Sequence, residues 1–182
     1  MKLHKFDTVL AYLSKVIYEP NQLAVSSIEE ENQNSEYAAG KFLLSTTGMI
    51  SKTVRFRVAK ITPTKIGQFV IFWEKNENGT NQAFKYEEAF DLLVITTFQD
   101  NNTFGQFVFP KDILRKKGIL KTDSNKGKMG MRVYPSWDTP VSKAALATQY
   151  WQLDYFFYTS IETNHIEASS VTKILKLYCP VA

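Results

Sequence analysis

Hydrophobic positions follow two different periods along this chain. Near the N-terminus they recur at helical spacing, so residues 3–18 are predicted to form an amphipathic helix that Pro20 ends. The positions that define this face are Leu3, Phe6, Leu10, Leu13 and Ile17. From residue 41 the period changes to two, and Val54, Phe56 and Val58 alternate with polar residues. This second pattern predicts a β-hairpin that turns at residues 47–48.

The strand pattern continues beyond that hairpin. Residues 67–76 predict a third strand that ends at the Asn78-Gly79 turn. Residues 92–97 predict a buried strand, and residues 104–110 and 131–135 predict two more. In the hairpin, Arg55 and Arg57 occupy the positions between the apolar residues, so one face of the sheet is expected to carry guanidinium groups.

Helix signals return in the second half of the chain. Pro110 and Gly118 bracket a short helix. Residues 140–158 predict a long helix, with Leu146, Tyr150, Leu153 and Phe157 on one face, and a terminal helix is expected from Ser169. Two polar stretches, 26–35 and 121–130, predict mobile loops. The whole predicts a single α+β domain over residues 1–182, with a central mixed or mostly antiparallel β-sheet flanked by helices 3–18 and 140–158.

Composition agrees with one folded domain. The chain has 182 residues, of which 44% are hydrophobic, enough for one substantial core. Its apolar runs are far shorter than the roughly 20 residues that a membrane-spanning helix needs, so no membrane partner is expected. A single cysteine, Cys179, has no partner for an intrachain disulfide. The expected compartment is therefore the reducing cytoplasm. The sequence does not indicate an oligomeric state.

The positive charge is concentrated in two segments. The formal net charge is only +4, but residues 52–65 contain five Lys or Arg and no acid, and residues 105–132 contain eight against two acids. The rest of the chain is net acidic. Such segregation indicates a polyanionic partner if the two segments share a face, and otherwise a solvated basic surface.

Common catalytic motifs are absent. The two histidines, His4 and His165, stand beside neither a cysteine nor a paired carboxylate, and metal-ligand spacings such as HExxH are missing. There is also no Gly-x-Ser-x-Gly turn, no phosphate-cradling GxxxxGK[ST] and no dinucleotide-binding GxGxxG. The sequence therefore predicts no cofactor and no metal site, and it favours a binding protein over an enzyme.

The segment FRVAKITPTKIGQFVIFWEK gathers groups that suit a phosphate backbone or a nucleotide. Charged side chains supply strong hydrogen bonds to phosphate oxygens, and hydroxyl and amide groups add neutral donors. The predicted phosphate-binding or nucleic-acid-binding residues are Arg57, Lys60, Thr62, Lys65, Gln68, Lys116, Lys117 and Arg132. Aromatic rings can complete such a site by stacking on bases, and the candidates are Trp73, Tyr134 and Trp137.

Two other functions stay open. A metal-dependent nuclease or phosphodiesterase with a restriction-endonuclease-like core could use Glu36 and Asp91 with Lys60, although Val58 stands where the motif preceding Lys60 needs an acid. In the alternative interpretation of these residues, Glu36 and Asp91 only cap or pair with basic groups. The remaining function is that of a small-molecule or regulatory binding protein with an aromatic pocket.

Several blocks of the sequence resemble one known family. FRVAKITPTKIGQFVIFWEKN, DLLVIT, FGQFVFPKDILRKKGI, GMRVYPSWD and TQYWQLDYF are together similar to the MepB family over residues 36–157. Its namesake is encoded beside a bacterial multidrug efflux pump and its repressor, and the resemblance implies kinship without a defined chemistry. It also implies that a largely polar set occupies motif positions: Glu36, Arg57, Lys60, Thr62, Lys65, Gln68, Trp73, Asp91, Gln106, Arg132, Tyr134, Trp137, Gln149 and Trp151.

Overall fold

A computed structural model describes residues 5–47, 51–100, 103–160 and 168–179 of the chain. Its strands are β1 (Ala24–Glu30), β2 (Gly40–Ser45), β3 (Lys52–Val58), β4 (Lys60–Thr62), β5 (Lys65–Ile71), β6 (Glu74–Lys75), β7 (Asn81–Gln82), β8 (Leu92–Phe98), β9 (Thr103–Pro110), β10 (Gly130–Val133) and β11 (Phe156–Ser160). Its α-helices are α1 (Phe6–Leu13), α2 (Lys111–Lys116), α3 (Lys143–Gln152) and α4 (Ala168–Tyr178).

A six-stranded main sheet forms the centre of the fold, in the order β1-β2-β3-β8-β9-β11. Its pairs are antiparallel except for β3 and β8, which are parallel. A small sheet, β10-β5-β4, and a two-stranded pair, β6-β7, accompany it. The predicted class, α+β with a mostly antiparallel sheet, is confirmed. No helix in the described part of the chain is long and apolar enough to cross a bilayer.

The main sheet separates two hydrophobic cores. On one side, Phe56 and Val94 pack with residues of α1 and α4, such as Leu13 and Ile174. On the other side, residues such as Ile95 and Phe109 pack with the small sheet and with α2. Because successive strand residues point to opposite faces, the strands buried on both faces are almost continuously apolar. The second core is the one onto which Arg55 and Arg57 point.

The elements with strong sequence signals agree with their predictions. The N-terminal helix is present, although it continues from α1 as a π-helical segment, Ser14–Tyr18. The β2–β3 hairpin, strands β8 and β9, and helices α2 and α4 are also present. Gly118 follows α2 with φ of +65°, as expected for a residue that ends a helix. The predicted hairpin turn at residues 47–48 lies partly outside the described residues.

Two predictions were wrong about secondary structure. Residues 26–30, predicted as part of a loop, belong to β1, an edge strand that is exposed along nearly all its length and so lacks apolar alternation. The predicted 140–158 helix is only α3, followed by a 3-10 turn, Leu153–Tyr155, and by β11. Its supposed buried face carries Leu146 and Tyr150, which are 47% and 83% exposed. Beyond it, Phe156 and Phe157 are both buried because β11 has a core on each face.

Two strand boundaries also differ from the predicted ones. The third strand was predicted as residues 67–76, but β5 ends at Ile71 and the chain enters the separate β6–β7 pair. The predicted loop 121–130 is a turn-rich segment up to residue 129, and Gly130 already begins β10. That strand matters for the site because it lies beside β5.

Candidate functional site

The small sheet brings together residues that are far apart in sequence. Lys60 on β4 is opposite Phe69 on β5, and Phe69 is opposite Arg132 on β10. Directly opposed residues share a face of the sheet, so the three side chains form one row. Val70 and Val133 alternate with this row and are buried in the second core. The row therefore lies on the outer face of the small sheet.

Arg132 holds the β4–β5 hairpin in place. Its Nη1 donates to Thr62 Oγ1 at 3.0 Å and to the Gly67 carbonyl oxygen at 2.8 Å. Gly67 has φ of +85°, and a Cβ at this position would lie 2.7 Å from Tyr134 Cδ1 and 2.9 Å from Arg132 Cγ. Only glycine permits both the backbone conformation and the close approach. Thr62 and Arg132 therefore have structural roles within the candidate surface.

Several cations of the two basic segments lie over aromatic rings. Lys60 Nζ is 4.5 Å from the centre of the Tyr37 ring, and Lys117 Nζ is 5.1 Å from Trp151. Lys111 and Arg115 also lie over Tyr86, at 5.4 and 4.4 Å, and Arg132 lies over Phe69, at 5.7 Å. A ring attracts a cation through its quadrupole and leaves the net charge in place.

The ion pairs of the described residues involve other cations than these five. Within residues 5–47, 51–100, 103–160 and 168–179, the pairs involve the cations Lys41, Arg55, Arg57 and Lys85. In that same part of the chain, no carboxylate lies within 4.0 Å of a cation of the β4–β5 hairpin or of α2. Lys60, Lys65, Lys116 and Lys117 are exposed. These four lysines are therefore at the surface without a carboxylate of the described residues within 4.0 Å.

Arg57 and Gln68 are buried and do not belong to an exposed basic face. Arg57 is 0% exposed, and its Nη1 lies 2.6 Å from Glu31 Oε2. Arg55 Nη2 lies 2.9 Å from Glu31 Oε1, so one carboxylate serves two guanidinium groups. Gln68 is 2% exposed and donates to the Phe98 carbonyl oxygen. The strand alternation correctly assigned the face, but that face is covered by a second layer.

The buried cluster of Arg55, Arg57 and Glu31 has an excess of positive charge. Burial lowers the pKa of Arg57 to about 10, although the Glu31 carboxylate acts in the opposite direction. Arg57 Nε and Nη2 have no hydrogen-bond partner within the described part of the protein. Sequence reasoning missed Glu31 because it follows an exposed acidic stretch that resembles a loop. Glu31 lies within the predicted loop 26–35, and its sequence neighbours do not distinguish it from the exposed acids beside it.

The predicted catalytic residues are not brought together. Asp91 Oδ2 accepts hydrogen bonds from Thr53 N and Oγ1, at 2.7 and 2.8 Å, where β3 and β8 begin. Lys60 follows the far end of β3, about 20 Å away at the usual rise per strand residue. Glu36 is exposed beside Tyr37. No group of three or more His, Cys, Asp or Glu within the described ranges could hold a metal ion.

The predicted stacking residues are partly used in packing. Trp137 makes edge contacts with Phe156 and Tyr158, at centroid distances of 5.5 and 6.3 Å. The Tyr134 ring lies against Gly67, and the Trp73 carbonyl oxygen accepts a hydrogen bond from Asn34. All three predicted side chains are half-buried. None is therefore a freely projecting ring, and only Tyr134 adjoins the Arg132 row.

A cavity of about 450 Å³ lies beside Arg55. Its wall includes Arg55, Phe84, Phe90 and Glu74. The Arg55 guanidinium carbon is 4.3 Å from the centre of the Phe84 ring. The cavity is within the size range of small-molecule sites.

A family model described as MepB-like matches residues 31–158. This range includes the β4–β5 hairpin, α2 and β10. The chain belongs to the MepB-like family. A solved structure described as the crystal structure of MepB is 39% identical, with a TM-score of 0.70, and the alignment covers 83% of this chain and 96% of that one. None of the curated proteins matches the chain.

The polar residues of the MepB-like signature differ in their environment. Gln106 is buried, and it donates to Thr96 Oγ1 at 3.0 Å and accepts from Tyr178 at 2.8 Å. Gln149 donates to the carbonyl oxygens of Pro135 and Asp138. These glutamines stabilise the MepB-like fold, whereas Lys60 and Lys65 remain exposed. A polar signature residue is therefore not by itself a site residue.

Proposed function

We propose that this MepB-like protein binds the phosphate backbone of a nucleic acid through a basic surface. This surface is formed by Lys60, Lys65, Lys116 and Lys117, with Arg132 as support. The observation that carries the proposal is that cations of both basic segments contact aromatic rings, while no carboxylate of the described residues lies within 4.0 Å of them. Such cations are held in position and can still form charge-assisted bonds to phosphate oxygens.

The separation of the two groups of cations favours a polymer over a mononucleotide. The hairpin lies near Phe98 at one end of β8, and α2 follows Pro110, which pairs with Leu92 at the other end. Seven strand residues span about 20 Å. The phosphates of one strand of a duplex follow each other by about 3.4 Å along the helix axis, so about six of them cover that distance.

The salt dependence of binding tests this proposal. We expect single- or double-stranded oligonucleotides to bind at low salt, with an affinity that falls linearly on a double logarithmic plot against salt concentration. Lys60→Gln combined with Lys65→Gln should reduce the slope by about 1.4 for a single strand, since each lost phosphate contact removes about 0.7. Fluorescence anisotropy at several salt concentrations measures both slopes.

A matched control comes from the ion-paired lysines. Lys41 and Lys85 are paired with Glu29 and Glu88, at 3.0 and 2.9 Å. Lys41→Gln combined with Lys85→Gln changes the net charge equally and should leave the salt slope unchanged. Equal slopes for the two double variants, or undetectable binding by the parent protein at low salt, would overturn the proposal.

Binding of a small organic cation is the second candidate, favoured by the cavity beside Phe84 and Phe90. Glu74 in its wall accepts a hydrogen bond from Gln82 at 3.4 Å, and no cation within residues 51–100 lies within 4.0 Å of its carboxylate. Aromatic rings and a carboxylate suit a hydrophobic cation. A quaternary ammonium probe should raise the thermal midpoint of the parent protein and have less effect on Glu74→Gln. A raised midpoint with polynucleotide alone would reject this candidate.

A further inference from the structure

The outer face of the small sheet presents an aromatic ring between two cations. Phe69 occupies the middle strand, with Lys60 opposite it on β4 and Arg132 opposite it on β10. Its neighbours Gln68 and Val70 point inward and are buried, whereas Phe69 is half-buried. Phe69 is also absent from both hydrophobic cores as the described residues define them. Part of its ring therefore faces the outer surface of the small sheet.

Gly130 leaves room beside this ring. It lies on β10 next to Arg132, and a Cβ on Gly130 would lie 3.4 Å from Phe69 Cζ. Because Gly130 has no side chain, the Phe69 ring can approach the backbone of β10. The Arg132 guanidinium carbon is 5.7 Å from the centre of the Phe69 ring, and Arg132 Nη1 donates to Thr62 Oγ1 and to the Gly67 carbonyl oxygen. Phe69 thus lies in a shallow part of the sheet surface with positive charge on both sides.

We infer that the outer face of the β10-β5-β4 sheet binds single-stranded nucleic acid by stacking an unpaired base on Phe69. The inference rests on the proposed function, because Lys60 would bind a phosphate that flanks the stacked base. An aromatic side chain on a sheet can stack on any base, whereas the bases of a duplex are already stacked on each other. The partner class is therefore a single strand rather than a duplex.

Three probes of equal length separate phosphate binding from base stacking. They are an oligodeoxyadenylate of about 15 nucleotides, which is near the upper site size for small domains, an abasic strand with the same phosphates, and the corresponding duplex. One stacked base should make the oligodeoxyadenylate bind about tenfold tighter than the abasic strand. Fluorescence anisotropy at one low salt concentration measures all three affinities.

Two substitutions at residue 69 test the role of the ring. Phe69→Leu keeps an apolar side chain and should abolish the preference for oligodeoxyadenylate, with little change in affinity for the abasic strand. Phe69→Tyr keeps a ring and should retain the preference. The comparison of probes on the parent protein does not depend on the folding of either variant.

The outcomes distinguish this inference from the proposed function. Equal affinity of the parent protein for the oligodeoxyadenylate and the abasic strand would overturn base stacking and leave phosphate binding intact. A preference of the parent protein for the duplex would also overturn base stacking. The same holds if a folded Phe69→Leu variant still prefers the oligodeoxyadenylate to the abasic strand. If no probe binds, the proposed function fails as well.

Discussion

Arg57 Nη1 lies 2.6 Å from Glu31 Oε2 inside the protein, where the Arg57 side chain has no exposed surface. Glu31 also pairs with Arg55, so its removal would leave two guanidinium groups without their counter-charge. We expect Glu31→Gln to lower the free energy of unfolding by about 3–5 kcal/mol, because an uncompensated buried charge is expensive. Urea unfolding at neutral pH measures the loss.

The exposed pair of Glu29 and Lys41 supplies the control for this prediction. Its side chains are 64% and 45% exposed, so Glu29→Gln should cost less than about 1 kcal/mol. Arg57→Met should cost less than Glu31→Gln, since it removes a buried cation whose Nε and Nη2 lack partners and leaves Arg55 paired with Glu31. Similar losses for the Glu31 and Glu29 variants would contradict the importance of the buried cluster.

The same arginine shows how far the sequence predicts the fold and the site. Alternation along β3 correctly indicated that Arg55 and Arg57 share a face, because strand residues alternate whatever surrounds them. Exposure of that face depends on the strands that cover it, and these come from residues 60–75 and 130–133. Such a long-range arrangement leaves no local pattern. The polar residues of a strand were therefore mistaken for surface groups.

Secondary structure was predictable where burial is asymmetric or a turn residue is diagnostic. The β2–β3 hairpin and the end of α2 at Gly118 belong to this class. Edge strands were missed for opposite reasons. β1 is exposed on nearly all its residues, whereas β11 begins with two buried phenylalanines, Phe156 and Phe157. Neither strand shows the alternation of buried and exposed positions that identifies a strand in sequence.

A buried pair of tyrosines predicts instability in alkali. Tyr18 and Tyr178 hydroxyl oxygens are 3.3 Å apart, and burial is the first cause that raises the pKa of each. As pH rises above about 10, the unfolded tyrosines lose protons that the folded protein retains, so stability falls. Tyr178→Phe should reduce this alkaline loss. Denaturant unfolding between pH 8 and about 11 measures it.

Tyr178→Phe also has a cost at neutral pH. The Tyr178 hydroxyl donates to Gln106 Oε1 at 2.8 Å, and its loss should lower the free energy of unfolding by about 1–3 kcal/mol. Tyr150→Phe is the control because Tyr150 is 83% exposed. An unchanged alkaline slope in Tyr178→Phe would refute the tyrosine origin.

Asp91 is predicted to stabilise the fold without contributing to phosphate binding. Its Oδ2 accepts from both Thr53 N and Thr53 Oγ1, so Asp91→Ala should lower the free energy of unfolding by about 1–3 kcal/mol. The salt slope of oligonucleotide binding should stay the same, since Lys60 lies at the other end of β3. Glu36→Ala, at an exposed position, should change stability by less than about 0.5 kcal/mol. Mg²⁺-dependent cleavage by the parent protein that disappears in both variants would reverse this assignment.

Gly67 and Gly79 offer a paired measurement of how tightly the candidate surface is packed. Both have positive φ, +85° and +73°, so alanine at either position incurs backbone strain of about 1 kcal/mol. No atom of the described residues lies within 4 Å of a Cβ on Gly79, whereas one on Gly67 would meet Tyr134 and Arg132. Gly67→Ala should therefore lose about 1–3 kcal/mol more than Gly79→Ala in denaturant unfolding. Equal losses would mean that Tyr134 and Arg132 move aside freely, and Arg132 would then not be a fixed support of the hairpin.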